Sequence, residues 1–388
     1  MRSVSILLLP LLWLGSACQS TGKIARDISW VNVNEAPDTW TAGPEGIVCT
    51  GKIQSTLRSA QVFGNYELEF ECRRGPGSGD AAVILHAAEL PSTGSAIPDG
   101  IRFGIGTEQE GFIPDKWNHY RIKSNSKAVQ LSVNGGPATV ISATEQRKGH
   151  ITFSSGGVAY QVRNIRIKAT SATAMEKKFR PLFNGDDLSQ WEMKPGHAGH
   201  WTAGKGVIDY DGNSREKDKC LWSKKAFRDF VLVADVRLTR PPEMARTPVI
   251  LPNGDNALNA DGSNQEVEML YNGDTGIYLR GESKSQVNIG NRYIGSGEIY
   301  GYRVDKRLPP EIRAGATPKI KADNPPGEWN RFVITMKGER VTVEVNGQTV
   351  IDNALLPDIP EQGPIALQDD HASDNRCQFA NVYIMEIN

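Results

Sequence analysis

Apolar and polar residues alternate with a period of two in many short runs of this chain. Tyr66-Glu-Leu-Glu-Phe-Glu-Cys and Val341-Thr-Val-Glu-Val each put apolar side chains on one face and polar ones on the other, the pattern of a half-buried strand. No long run carries helical spacing. Asn134-Gly135 and Asn346-Gly347 each follow such a run, and Asn-Gly suits a tight hairpin because both central residues need positive φ. The pattern predicts many short strands joined by turns, hence a sandwich or barrel.

The pattern also repeats. Trp40-Thr-Ala-Gly matches Trp201-Thr-Ala-Gly, and Leu57 to Arg73 aligns without gaps to Leu221 to Arg237. Trp117-Asn-His-Tyr-Arg-Ile matches Trp329-Asn-Arg-Phe-Val-Ile, with Asn-Gly seventeen residues after each Trp. Each copy closes on a strand pattern, Val162-Arg-Asn-Ile-Arg-Ile or Phe379-Ala-Asn-Val-Tyr-Ile. Five matches in one order define two homologous domains, 24–168 and 180–388, joined by a small polar linker at 169–179. The expected fold is all-β: two tandem jelly-roll sandwiches of the concanavalin and laminin-G kind. Two repeats are too few for a propeller.

Composition narrows the function. Lys plus Arg is 44 against 45 Asp plus Glu, a net charge of −1. A near-neutral chain without a basic run lacks the phosphate-neutralising surface that nucleic-acid binding needs. Residues 1–17 read as a signal peptide, with Arg2, an apolar stretch from Val4 to Leu14 and then small residues. Cys18 follows directly, as at a bacterial lipoprotein processing site. The expectation is an exported protein of the periplasm or cell envelope, touching membrane only through a lipid on Cys18; plain secretion is the alternative. Export permits disulfides, and Cys49–Cys72 with Cys220–Cys377 is one pairing, free buried thiols the other reading. No Cys-x-x-Cys or His-x-x-x-His spacing marks a structural zinc site.

The two copies differ most between shared landmarks. Arg73 to Trp117 spans 44 residues and Arg237 to Trp329 spans 92, and long insertions on a rigid sandwich commonly carry function. Within the second copy Ile277, Leu279, Val287 and Ile289 are odd-numbered and apolar. Tyr278, Arg280, Glu282, Gln286 and Asn288 are even-numbered and polar or amphipathic. If no bulge intervenes at Gly281, the even set shares one wet face. Glu298, Tyr300 and Tyr302 are expected to share a strand face in the same way. A solvated outer sheet reads like this too, but Arg, Glu, Gln, Asn and Tyr together are also what sugar binding needs, planar hydrogen-bonding groups for hydroxyls and rings for C–H faces. The first copy has lost the set: Arg280 aligns with His86 and Glu282 with Ala88. One competent site, in the second copy, is expected.

The second copy resembles the 3-keto-disaccharide hydrolase family through Leu182-Phe-Asn-Gly-Asp-Asp-Leu-Ser-Gln-Trp, Gly276-Ile-Tyr-Leu-Arg-Gly, Gly297-Glu-Ile-Tyr-Gly, Pro326-Gly-Glu-Trp-Asn and Gly363-Pro-Ile-Ala-Leu-Gln. The first copy resembles it weakly. The resemblance implies a concanavalin-type sandwich and cleavage of glycosides already oxidised to a ketone at C3. Such chemistry needs a base near C2, a donor at the C3 oxygen and an acid at the glycosidic oxygen. The roles expected are Glu298 as base, Arg280 and Gln286 at the enolate, His371 as acid, and Tyr300, Gln368 and Asp369 as positioning groups, with Glu282 and Asn288 also binding substrate. The family often reads Leu-Gln-x-His, and here Leu367-Gln-Asp-Asp-His sets His371 one residue later. A His and carboxylate set leaves a divalent cation as an alternative Lewis acid. The partners implied are an oligosaccharide or glycoside and a sugar 3-oxidoreductase that makes the ketone.

Two other readings compete. A conventional glycoside hydrolase on this fold would carry alternating acids on one strand, and Glu266 with Glu268 is a partial match lacking a third acid where Leu270 stands. A non-catalytic carbohydrate-binding protein is the other.

Overall fold

The computed structural model describes residues 23–25, 28–125, 128–142, 148–169, 172–174, 179–369 and 375–387. The alternating runs form strands, and the apolar side of each faces a core. Leu68, Phe70 and Cys72 are fully buried while Glu67, Glu69 and Glu71 between them stay partly exposed.

Each copy is two antiparallel sheets packed face to face. In the second copy the large sheet runs Trp201–Gly204, Val207–Tyr210, Cys377–Glu386, Phe230–Leu238, Asn330–Lys337, Arg340–Val345 and Gln348–Leu355, with Arg180–Pro181 also pairing Cys377–Glu386. The small sheet runs Trp191–Glu192, Leu221–Phe227, Gly363–Leu367, Asp274–Leu279 and Glu282–Gly290. The first copy has the same order, its small sheet being Trp30–Asn32, Gln54–Ser59, His150–Gly156, Asp80–Ala87 and Ile101–Gly104. The all-β tandem sandwich expected from the repeat is therefore the fold. Separate apolar cores fill the two sandwiches, around Phe70, Tyr120 and Phe153 in one and Trp201, Phe230 and Phe332 in the other. Among the described residues, no helix is long and apolar enough to cross a membrane.

One alternative is decided and one expectation is corrected. Cys49, Cys72, Cys220 and Cys377 are free, buried thiols. Cys49 and Cys72 lie on strands with Tyr160–Ala169 between them, about two strand spacings of ~4.8 Å, beyond the ~7 Å that a bridge tolerates. Cys377 faces the core while Cys220 joins a cluster on the other side of the small sheet. The run predicted to continue as a strand after Glu298 instead forms a helix, Tyr300–Val304. Gly297 turns at φ 105°, the Ile299 carbonyl accepts the Tyr302 and Arg303 N–H groups, and Tyr302 enters the core. Finally, Ala172–Ala174, inside the stretch read as linker, pairs with Gln61–Phe63 of the first copy.

The copies pack on one another. The outer face of the second copy's large sheet presents Val233 and Tyr383, with Val333 beside them, against Val33 and Leu90 of the first. Asp235 anchors the contact: it accepts the Gly94 N–H at 2.8 Å and the Asn381 amide at 2.7 Å, and pairs through both oxygens with Arg331. Asn381 also donates to the Ser92 and Ser95 carbonyls. Gly94, at φ +67°, lies so close to the Trp329 ring that a Cβ would fall 2.3 Å from it, so this position needs glycine.

Candidate active site

In the second copy the odd residues of the small sheet enter the core and the even ones make its outer face, as strand parity requires. Ile277, Val287 and Leu367 are core residues, while Cys220, Tyr278 and Ala366 form a separate cluster on the other face with Trp222 against it. Gln286 donates to Gln368 across the face. Gly276 makes this crossing feasible, since a Cβ there would meet Gln368 Oε1 at 2.6 Å and Gln286 Nε2 at 2.7 Å. One strand position further, Asn288 Nδ2 donates to Glu298 Oε1 at 3.1 Å. The Glu298 carboxylate also pairs with Arg303, both side chains being nearly fully buried. Arg303 donates in addition to the Gly254 carbonyl at 3.2 Å. A burial this complete needs such pairing, because an isolated charge would cost several kcal/mol.

A second carboxylate lies at the end of Gly363–Leu367. Asp369 is fully buried, accepts the Tyr210 hydroxyl and has Lys219 Nζ at 3.4 Å. Burial, with Asp369 adding to it, pushes the Tyr210 hydroxyl up, so it stays a proton donor. A third, Asp274, pairs with Arg292. Burial likewise pushes the Cys220 thiol up to about 12, which leaves it protonated and without thiolate reactivity. A cavity of about 740 Å³ opens beside Arg303, lined also by Leu251, Gly254, Asp255, Leu258 and Val304, within the range of small-molecule sites.

The structure sorts the expected residues. Gln286, Asn288, Glu298 and Gln368 come together on the outer face, where all four are buried rather than wet, and Asp369 is buried against the core residue Tyr210. Tyr300 is exposed at the rim, its ring 5.7 Å from the Arg303 guanidinium. Glu282 opens its strand at the hairpin and accepts its own Lys284 N–H, away from the Gln286–Gln368 pair. Arg280 is not on this face. It and Gly281 form the two-residue turn of the hairpin with φ of 52° and 74°, and this interrupts the strand parity. Its guanidinium is buried, donating to the Arg228, Gly338 and Pro360 carbonyls and to Asp229; it staples loops. Glu266 and Glu268 are exposed on a separate two-stranded sheet with Glu243–Pro248, off the outer face. His371 and Cys18 lie outside the described residues. Among the described residues, no group of three or more His, Cys, Asp and Glu is placed to hold a metal ion.

Sequence reasoning missed Arg303, Trp222, Tyr210 and Lys219. Trp222 was open to the same parity argument, being the even neighbour of core Leu221. Arg303 was not, because its placement depends on the helix that replaces the expected strand.

In the first copy the equivalent face is closed. Ala82, Ile84 and Ala87 form an apolar patch there with Ile97 against it, and Thr56, Arg58 and Thr152 are buried. Thr56 shares a narrow crevice with Pro91, Ala96, Phe183 and Tyr383, so the loop after Asp80–Ala87 and the second copy together cover it.

A sandwich with a polar, ring-bearing outer face beside a cleft is the architecture of a carbohydrate-active protein. The chain belongs to the family described as the 3-keto-alpha-glucoside-1,2-lyase-like domain, whose model matches residues 27–168 and again 178–385. Among solved structures, a Parabacteroides distasonis protein assigned as a glycosyl hydrolase is 22% identical, covering 54% of this chain and 84% of its own, at a TM-score of 0.37. A carbohydrate-binding module from Bacillus subtilis is 12% identical over 37% of this chain and 98% of its own, at a TM-score of 0.30. A Bacillus subtilis protein with a galectin-like fold is 11% identical over 38% and 91%, at 0.29. No curated protein matches the chain.

Proposed function

We propose that the second copy cleaves 3-keto-glycosides by elimination followed by hydration. The observation that carries the proposal is the buried Glu298 carboxylate, held by Asn288 and Arg303 on the same outer side of the second copy's small sheet as the buried Gln286–Gln368 pair. The C3 ketone acidifies the C2 proton. Glu298 removes it, and the electron pair forms the enolate, whose oxygen draws on Arg303, in the role expected of Arg280, and on the Gln286 amide. The enolate collapses to an unsaturated ketone as the C1–O bond breaks, and an acid protonates the departing oxygen. His371, two residues beyond Asp369 in the chain, is the proposed acid. Water then adds across C1 and C2, hydroxyl to C1 and proton to C2, and net hydrolysis results. Arg303 serves both states: it compensates Glu298 before reaction and the enolate once Glu298 has taken the proton.

We also propose that the protein is exported, with residues 1–17 as signal and Cys18 lipidated, and that a sugar 3-oxidoreductase supplies its substrate. Purified protein should cleave a 3-keto-glucoside and leave the unoxidised parent intact. Glu298→Gln should lower kcat by about 10²–10⁴, the usual weight of a general base. Equal cleavage of keto and parent substrates would overturn the reading.

A further inference from the structure

The outer face does not stop at the polar row. Two strands beyond Asp274–Leu279, on Leu221–Phe227, Trp222 is only partly buried. Its indole N–H donates to Asp218 Oδ2 at 2.8 Å, and Asp218 is held in turn by Lys194 at 3.1 Å. Its ring meets that of Tyr278 at 6.0 Å and 47°. Small Ala366 lies on the strand between them, which lets the two rings approach over it. A tryptophan whose edge is tied and whose ring rests on a second ring has little freedom left to lose on binding. In the first copy Arg58 takes the aligned position and is buried, so that copy has no counterpart of this pair of rings.

We propose that Trp222 is a platform for the leaving group, and that the preferred substrate carries a ring there, an aryl aglycone or a second sugar, each offering a flat face to the indole. This rests on the keto-glycoside reading for where the reacting sugar sits. Three strand spacings of about 4.8 Å separate the Trp222 strand from the Asn288 strand that holds Glu298. The distance exceeds one sugar ring, so a group reaching Trp222 from a sugar at Glu298 lies outside the reacting ring, and the proposal assigns it to the C1 substituent that departs. A methyl glycoside ends short of it.

The test compares Trp222→Ala with wild type on aryl, glucosyl and methyl 3-keto-glucosides. The variant should lose about tenfold more kcat/KM on the ring-bearing substrates than on the methyl one, chiefly through KM. Trp222→Phe should recover part of the loss, and Asp218→Ala, which frees the indole edge, should lose part of it. A larger penalty on the aryl substrate identifies an aromatic aglycone, and a larger one on the glucosyl substrate a sugar. Equal loss on all three overturns the platform and leaves the keto-sugar reading standing. If wild type turns over none of them, that reading fails instead. The platform is then decided by titrating unoxidised aryl glucoside against tryptophan fluorescence: quenching in wild type and not in Trp222→Ala supports it, and identical curves overturn it.

Discussion

Glu69 in the first copy and Val233 in the second occupy the same place in the repeat, on the outer face of the same central strand. Glu69 lies opposite Arg121 on one side and Arg166 on the other, and Val233 lies opposite Val333 and Tyr383 in the matching registers. One row is charged and washed by solvent; the other is apolar and packed against Val33 and Leu90. The small sheets differ in the reverse sense. The first copy's outer face sets Ala82 and Ile84 beside buried Thr56, Arg58 and Thr152, and the second copy's carries the Gln286–Gln368 and Asn288–Glu298 pairs of the candidate site. One backbone plan thus supplies four faces, and the residue chemistry of each follows from what lies on it.

The largest expected effect is at the packed row. Val233→Glu, which copies the first domain's residue, buries an unpaired carboxylate. It should cost about 3 kcal/mol or more and separate the copies, seen as two transitions in chemical denaturation where wild type has one. A single unchanged transition would show that this row does not hold the copies together.

A smaller effect concerns the covered face. His150 is buried on the first copy's small sheet, donating from Nδ1 to the Ser59 carbonyl, with the Arg58 guanidinium 3.4 Å away. Arg58 also faces Glu89 at 3.5 Å. Burial, and then Arg58, lower the imidazole pKa below its ordinary value near 6.5. The unfolded chain therefore binds the proton more readily. The contribution is fully present above pH 6.5 and is lost as pH falls from there through the lowered folded value. A melting-temperature profile should decline over that window, and His150→Gln should flatten it. The smallest effect is expected at the charged row. Glu69→Ala removes the carboxylate 3.3 Å from Arg121 in a pair that is substantially exposed, and should change stability by less than about 1 kcal/mol.

Much of this was legible in the sequence because strand parity is local. Gln286 and Asn288 follow from alternation alone, while Gln368 was reached only through the family resemblance. The packed row left a signal that the sequence reading did not use: Phe230-Val-Leu-Val-Ala against Tyr66-Glu-Leu-Glu-Phe shows a strand apolar on both sides where its homologue alternates, the mark of a sheet covered on both faces. Arg280 was misplaced because the parity argument ran across a turn in which both residues have positive φ. Arg303 reaches Glu298 only through a helix whose start depends on Ile299 finding the core, a tertiary event with no local pattern. The free cysteines follow from strand order, which pairs residues distant in sequence.

The contact between the copies joins two different surfaces, the outer large sheet of one unit and the small-sheet flank of the other. Such a head-to-tail joint does not close on itself, and repeated it would grow into a filament. The Glu69–Arg121–Arg166 row ends that growth at the first copy as a charged capping repeat ends a solenoid. At the other terminus the corresponding small-sheet flank holds the candidate site, so a further unit docked there would cover it.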